Sequence, residues 1–331
     1  DSNNSKADSF LACSNRKKGE ITMDEYAQRR RIQQRRQMRR RKKRIRAIFR
    51  LVCLTFVLIG LLVFANHISQ LKLGNLTWKE AESSIPAGYV MEADASPDMP
   101  VLREGSELKE QIHKLAQTDK DYAKIYEHYD EYPEALMLAL SNNSEMLDFV
   151  KGYLTAEPVA NGGLTHAEKK EDIPLLLQWD KRWGYAPYGN NNIAISGCAP
   201  TCLSMVIVGL TKDTDATPDV VASYAESAGY YKEGTGTSWA IMTEGCEHYG
   251  IHGQELSLDR NVIMKHLDAG EPIICSMRPG NFTTAGHFIV LVKEIDGEIM
   301  VNDPNSRSRS KILWDYDTLA AQIKNLWSFT K

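Results

Sequence analysis

Apolar residues are distributed along this chain in three different ways. Residues 51–71, LVCLTFVLIGLLVFANHISQL, are a run of 21 without a single Asp, Glu, Lys or Arg. A bilayer core needs about 20 such residues as a helix. The apolar region of a signal peptide is shorter and ends in a small-residue cleavage site, and no clear Ala-x-Ala follows here. The run predicts an uncleaved transmembrane helix. From 72 to 105 periodicity is lost and Pro86, Pro97 and Pro100 interrupt the chain, which predicts a stalk. From residue 106 apolar positions recur every three or four: Leu108, Ile112, Leu115 and Ala116 share one face. YPEALMLAL and SEMLDFVKGYL predict two further short helices, the second capped by Ser144. The stretch 106–156 therefore reads as a small helical module, with no site of its own visible.

Asn161-Gly162-Gly163 is a flexible joint, and a last domain spans 172–331. Thr217, Pro218 and Gly229 bracket one helix, Thr237 and Gly250 another, Asp259 and Gly270 a third. The period then changes to that of strands. EPIICSM, GHFIVLVKEI and GEIMVND read as β, with Asp296-Gly297 as the turn between the last two. SKILWD and NLWSFTK predict further strands around a helix at YDTLAAQIK. Helices first and an antiparallel sheet afterwards predict an α+β domain.

Charge sharpens the division. Residues 1–50 hold 17 Lys and Arg against 5 Asp and Glu, whereas the other 281 hold 23 against 38. The stretch 29–50 alone carries 13 basic residues and no acidic one. Basic flanks stay on the cytoplasmic side. This predicts a cytoplasmic tail (1–50), in contact with membrane lipid, and everything beyond 72 outside the cell. The acidic remainder argues against a nucleic-acid partner.

Six cysteines do not form a disulfide framework, since Cys13 falls in the tail and Cys53 in the apolar run. One bridge among Cys198, Cys202, Cys246 and Cys275 stays open. SGCAPTCLSM holds the informative pair. Pro200 suits the first turn of a helix, and the residues after it are almost all apolar. Cys198 stands at the mouth of that helix, where free N–H groups and the dipole favour a thiolate. Cys202 falls one turn deeper in apolar surroundings, and Cys275 lies between strand isoleucines and a serine. Position makes Cys198 the leading nucleophile candidate, against the alternative that every thiol is simply a small core residue.

A thiolate needs a base. Among eight histidines, His287 alone opens a strongly apolar strand, where an ionisable ring wants a partner. Asp303, in VNDP at the end of the next strand, is the partner expected, the alternative being that it only starts an Asp-Pro turn. Strand parity decides whether they meet. A strict two-residue turn at Asp296-Gly297 sets Asp303 opposite Val290, on the wrong face for His287. An odd loop or a bulge near Gly297 is therefore required. Cys246, His248 and His252 lack the spacing of a zinc site.

GCAPTCLSMV, GHFIVLV and VNDP, in that order, resemble the bacterial cysteine peptidases of the family-thirty-nine type, relatives of the proteases that trim double-glycine leaders from bacteriocins. QWDKRWGYAPYG is similar to the segment that precedes the cysteine there, and the 132–153 block to helices found ahead of such domains. The resemblance covers 172–331 and implies a papain-like fold, with Cys198 as nucleophile, His287 as base, Asp303 orienting the imidazole and Gln178 donating to the oxyanion. Cys202 departs from the small residue, often Ser, that members carry there. The implied activity is hydrolysis of peptide or protein substrates through an acyl-thioester, with no cofactor or metal. A cell-wall amidase or transpeptidase with the same nucleophile, and a non-catalytic peptide-binding module, are the alternatives.

Overall fold

The computed structural model describes residues 86, 88–92, 95 and 98–331. The basic tail (1–50) and the apolar run (51–71) lie outside them. No helix among the described residues is long and apolar enough to cross a membrane.

Strand β1 (Val90–Met91) comes first. Helices α1 (Gly105–Ala116), α2 (Lys120–Glu127), α3 (Glu134–Asn142) and α4 (Leu147–Gly152) follow. α2 has no counterpart among the expected helices, although Asp119 caps it and Tyr122 and Ile125 are buried one turn apart. Ser144 does not cap α4. It begins a 3-10 turn whose cap is Asn143, with the Asn143 side-chain oxygen accepting from the Glu145 amide.

The last domain starts with a ribbon of β2 (Pro187–Tyr188) and β3 (Asn191–Asn192), then α5 (Ile193–Ser196), α6 (Cys198–Thr211) and α7 (Pro218–Ser227). A second ribbon, β4 (Tyr231–Lys232) and β5 (Gly236–Thr237), leads to two 3-10 segments, Trp239–Met242 and Gly245–Tyr249. These replace the single helix expected between Thr237 and Gly250. The second segment begins at Gly245, which packs so closely that a Cβ there would lie 2.8 Å from Ile241 and 2.9 Å from Tyr230. Then come β6 (His252–Glu255), α8 (Arg260–Asp268), β7 (Ile273–Met277), β8 (His287–Ile295), β9 (Glu298–Asn302), β10 (Ile312–Asp315), α9 (Tyr316–Ala320) and β11 (Ile323–Thr330).

One seven-stranded sheet has the order β1-β10-β9-β8-β7-β11-β6, antiparallel except for the parallel pair β1–β10. Part of the segment expected as stalk is thus not free chain, because the backbone of β1 pairs with β10. The Glu92 carboxylate also accepts from the Asp315 amide at 2.8 Å. Alternation along the strands separates two cores. Phe288 and Val290 pack with α6, whereas Ile289 and Leu291 pack with Ile263 and Leu267 of α8. Because both faces are covered, the strands read as continuous apolar runs. Helices followed by an antiparallel sheet match the α+β expectation.

The parity expectation is met at a different place. Asp296 and Gly297 both have positive φ (54° and 88°) and form a two-residue turn, so Ile295 pairs with Glu298. The bulge is at Val292: Lys293 faces Met300, while Leu291 faces Val301. Beyond it Val290 faces Asn302. Ile289 therefore stands opposite Asp303, and His287 lies diagonal to it on the same face.

The helical module does not have a closed core of its own. Leu108, Ile112 and Phe149 pack with Leu177, Trp179 and Ala194 from the last domain. Polar contacts reinforce this seam. Glu145 accepts from the amides of Arg307 and Ser308 (both 3.1 Å) and from the hydroxyls of Ser306 and Ser308 (both 2.9 Å). Asn143 donates to the Asn305 carbonyl. Burial alone would raise the Glu145 carboxyl, but these donors outweigh it and lower it. Glu145→Ala is expected to reduce unfolding stability at neutral pH by about 1–3 kcal/mol, as hydrogen bonds to a charged group are worth. A depressed carboxyl contributes above its unfolded range and loses that contribution as pH falls through its folded midpoint. Urea denaturation of both proteins should therefore show the difference shrinking below about pH 4.

Candidate active site

A capped turn leads into the helix that carries the first candidate group. Asn192 caps α5, its side-chain oxygen accepting from the Ile195 amide at 3.0 Å, and α5 runs directly on to α6. Gly197 joins the two helices with a negative φ of −91°. Its lack of a side chain serves close packing: a Cβ would lie 2.5 Å from both the Ile193 carbonyl oxygen and the Ile193 Cγ2. The neighbour it admits is the chain's own preceding turn. Cys198 is the first residue of α6 and is partly exposed, while Cys202 is fully buried. Pro200 supplies no N–H to the first turn. All four described cysteines are free thiols. Burial pushes the Cys202 and Cys275 thiols up, and raises Cys246 to about 11.

His287 opens β8 and is buried. Its Nε2 meets Asp303 Oδ1 at 2.7 Å. The Cys198 side chain also interacts with the ring and helps to raise its pKa. With Nε2 engaged, Nδ1 is the nitrogen available to the sulfur. Asp303 has no exposed surface. Its Oδ1 also accepts from the Asn305 amide at 2.8 Å, and its Oδ2 accepts from Arg309 Nε at 2.6 Å. One carboxylate thus both starts the Asp-Pro turn and holds the imidazole, so the two readings of Asp303 are compatible.

Electrostatics follow from this geometry. Burial penalises the imidazolium, yet the Asp303 charge and hydrogen bond, with Cys198, outweigh it and raise His287 above the ordinary imidazole range. Burial likewise opposes ionisation of Asp303, but Arg309 and then His287 hold its carboxyl below the usual range.

Gln178 is buried, and its backbone N–H donates to the carbonyl of Pro304, next to Asp303. Its Nε2 donates to the Ala194 carbonyl at 2.8 Å. A carboxamide nitrogen carries two hydrogens, so one donor remains. Gln178 and His287 line the same cleft. The histidines set aside go elsewhere. His248 stacks on Tyr224 at 4.2 Å, and His252 bonds Glu247 at 2.7 Å. Among the described residues no three His, Cys, Asp or Glu side chains gather as a metal site.

Residues 170–331 match the Peptidase_C39 like family. Two solved structures are similar to the chain. One is the peptidase domain of Streptococcus ComA, a bi-functional ABC transporter involved in a quorum sensing pathway, at 15% identity over 39% of this chain and 90% of that one, with a TM-score of 0.31. The other is a protein from Bacillus anthracis described as a C39-like peptidase, at 13% identity over 48% of this chain and 94% of that one, with a TM-score of 0.28. No curated protein matches the chain.

Arg309 is the participant that sequence reasoning missed. It sits six residues after Asp303 in a stretch that also contains Arg307, and nothing in the sequence separates a buried guanidinium from an exposed one. The coupling through Asp303 has a direct readout. In Asp303→Asn the raising charge is gone while burial persists, so the His287 midpoint should fall. Proton NMR of the ring hydrogens across pH should show a high midpoint in the wild type and a lower one in the variant.

Proposed function

We propose that this chain is a cysteine peptidase that hydrolyses peptide bonds through Cys198, His287, Asp303 and Gln178. One observation carries the reading: an imidazole fixed through Nε2 to a fully buried carboxylate interacts with a partly exposed sulfur at a helix mouth. The other three described thiols are buried. The match of residues 170–331 to a peptidase family supports the same chemistry.

The steps follow from the groups. The Cys198 thiolate attacks the scissile carbonyl carbon, and the carbonyl π pair moves to oxygen. The free Gln178 N–H and the first-turn amides of α6 stabilise that oxyanion. His287, held as imidazolium, gives its proton to the leaving amine as the C–N bond breaks and an acyl-thioester remains. Neutral His287 then takes a proton from water, whose oxygen attacks the thioester and releases the acid and the thiolate. Asp303 keeps Nε2 occupied throughout, so Nδ1 does the proton transfer. In this reading residues 51–71 anchor the chain in the cell membrane with the basic tail inside, and the substrates are peptides or proteins on the outer side.

Iodoacetamide should label Cys198 in the wild type and leave Cys202, Cys246 and Cys275 unmodified. Cys198→Ala should abolish peptide hydrolysis, and Gln178→Ala should lower kcat by about 10²–10³-fold, the usual loss of one oxyanion donor. Hydrolysis that survives Cys198→Ala would reject the assignment. Peptide mapping by mass spectrometry and steady-state kinetics read these outcomes.

A further inference from the structure

α3 is apolar on two sides. Leu136, Met137 and Leu140 are buried in the module core. Ala135 is exposed, and Leu138 and Ala139, at i+3 and i+4 from it, are half-buried at the edge of that core. An ordinary surface helix would carry polar residues there. Ala135, Leu138 and Ala139 line a cleft together with Phe282, Thr283, Thr284, Gly286 and His287. Gln178, Asn142, Asn305 and Arg309 also line it. The cleft measures ≈ 210 Å³. Ligand pockets usually span about 300–1,000 Å³, so this one fits a single side chain rather than a larger group.

The lining includes His287 but not Cys198. That asymmetry assigns the cleft a side of the substrate. During acylation the sulfur keeps the carbonyl half, while the imidazole hands its proton to the departing amine. Space beside the imidazole and away from the sulfur belongs to the half that departs. We infer that the cleft between α3 and the 282–287 loop receives the side chain of the residue immediately after the scissile bond, and that it selects an aliphatic one. This rests on the peptidase reading above. The helical module then supplies a specificity wall for the reaction.

The test uses the full chain and a synthetic peptide library randomised around its centre, with cut sites mapped by mass spectrometry. The wild type should favour Val, Leu or Met after the cut over Asp or Gly by at least about tenfold, the discrimination an apolar pocket gives. Ala135→Arg, at an exposed position, should shift that preference toward Asp and Glu, and Leu138→Arg should do the same. Cut sites without preference after the scissile bond, or preferences unchanged in both variants, would overturn the inference. A second arm keeps it separable from catalysis. The Cys198→Ala protein is incubated with the same library, and the retained peptides are sequenced. If the wild type cuts nothing but Cys198→Ala retains aliphatic peptides in a manner that Ala135→Arg abolishes, the peptidase reading fails and the cleft assignment stands. Neither cutting nor retention would overturn both.

Discussion

A carboxylate with no exposed surface organises this site. Asp303 stands at the end of β9 between an imidazole at 2.7 Å and a guanidinium at 2.6 Å. An unpaired charge in that place would be strongly unfavourable. Arg309 favours the ionised carboxyl, and that carboxyl in turn raises the pKa of His287. The direction of influence runs outward from the buried acid, and each further residue is positioned by a different element: β8 for His287, α6 for Cys198, the turn after β9 for Arg309.

That turn is itself held from a distance. Residues 305–308 are bonded by Asn143, Glu145 and the Trp179 indole, whose Nε1 donates to the Asn305 carbonyl at 2.9 Å. The helical module and the last domain therefore share both an apolar core and a polar seam at the acid. A spacer would have neither. The module is built into the geometry of the site even though none of its residues resembles a catalytic group.

Much of this was legible in the sequence where a local rule coincided with the tertiary arrangement. The glycine-cysteine start of α6 with its early proline, the histidine opening an apolar strand and the Asp-Pro turn each announce themselves over a few residues. Gln178 was legible only through family resemblance, because a lone glutamine beside tryptophan carries no local signal. Arg309 and Glu145 were not legible at all. Their roles depend on contacts across six residues of turn and across about 160 residues of chain, and charge alone does not say which side chain goes inside. The bulge illustrates an intermediate case. Parity required one, but Val292 looks like any other strand valine, so its position followed from packing. The 3-10 break at Gly245 and the added strand at Val90 are likewise tertiary outcomes.

The double-faced character of α3 has an evolutionary corollary. Leu136, Met137 and Leu140 are committed to the interior, whereas Ala135 is exposed and Leu138 and Ala139 pack only partly against that core. Substitution at Ala135, Leu138 and Ala139 changes the lining of the cleft beside His287 while Cys198 and Asp303, encoded far downstream, stay as they are. In the proposed peptidase, selectivity and chemistry are thereby written on separate stretches of the gene.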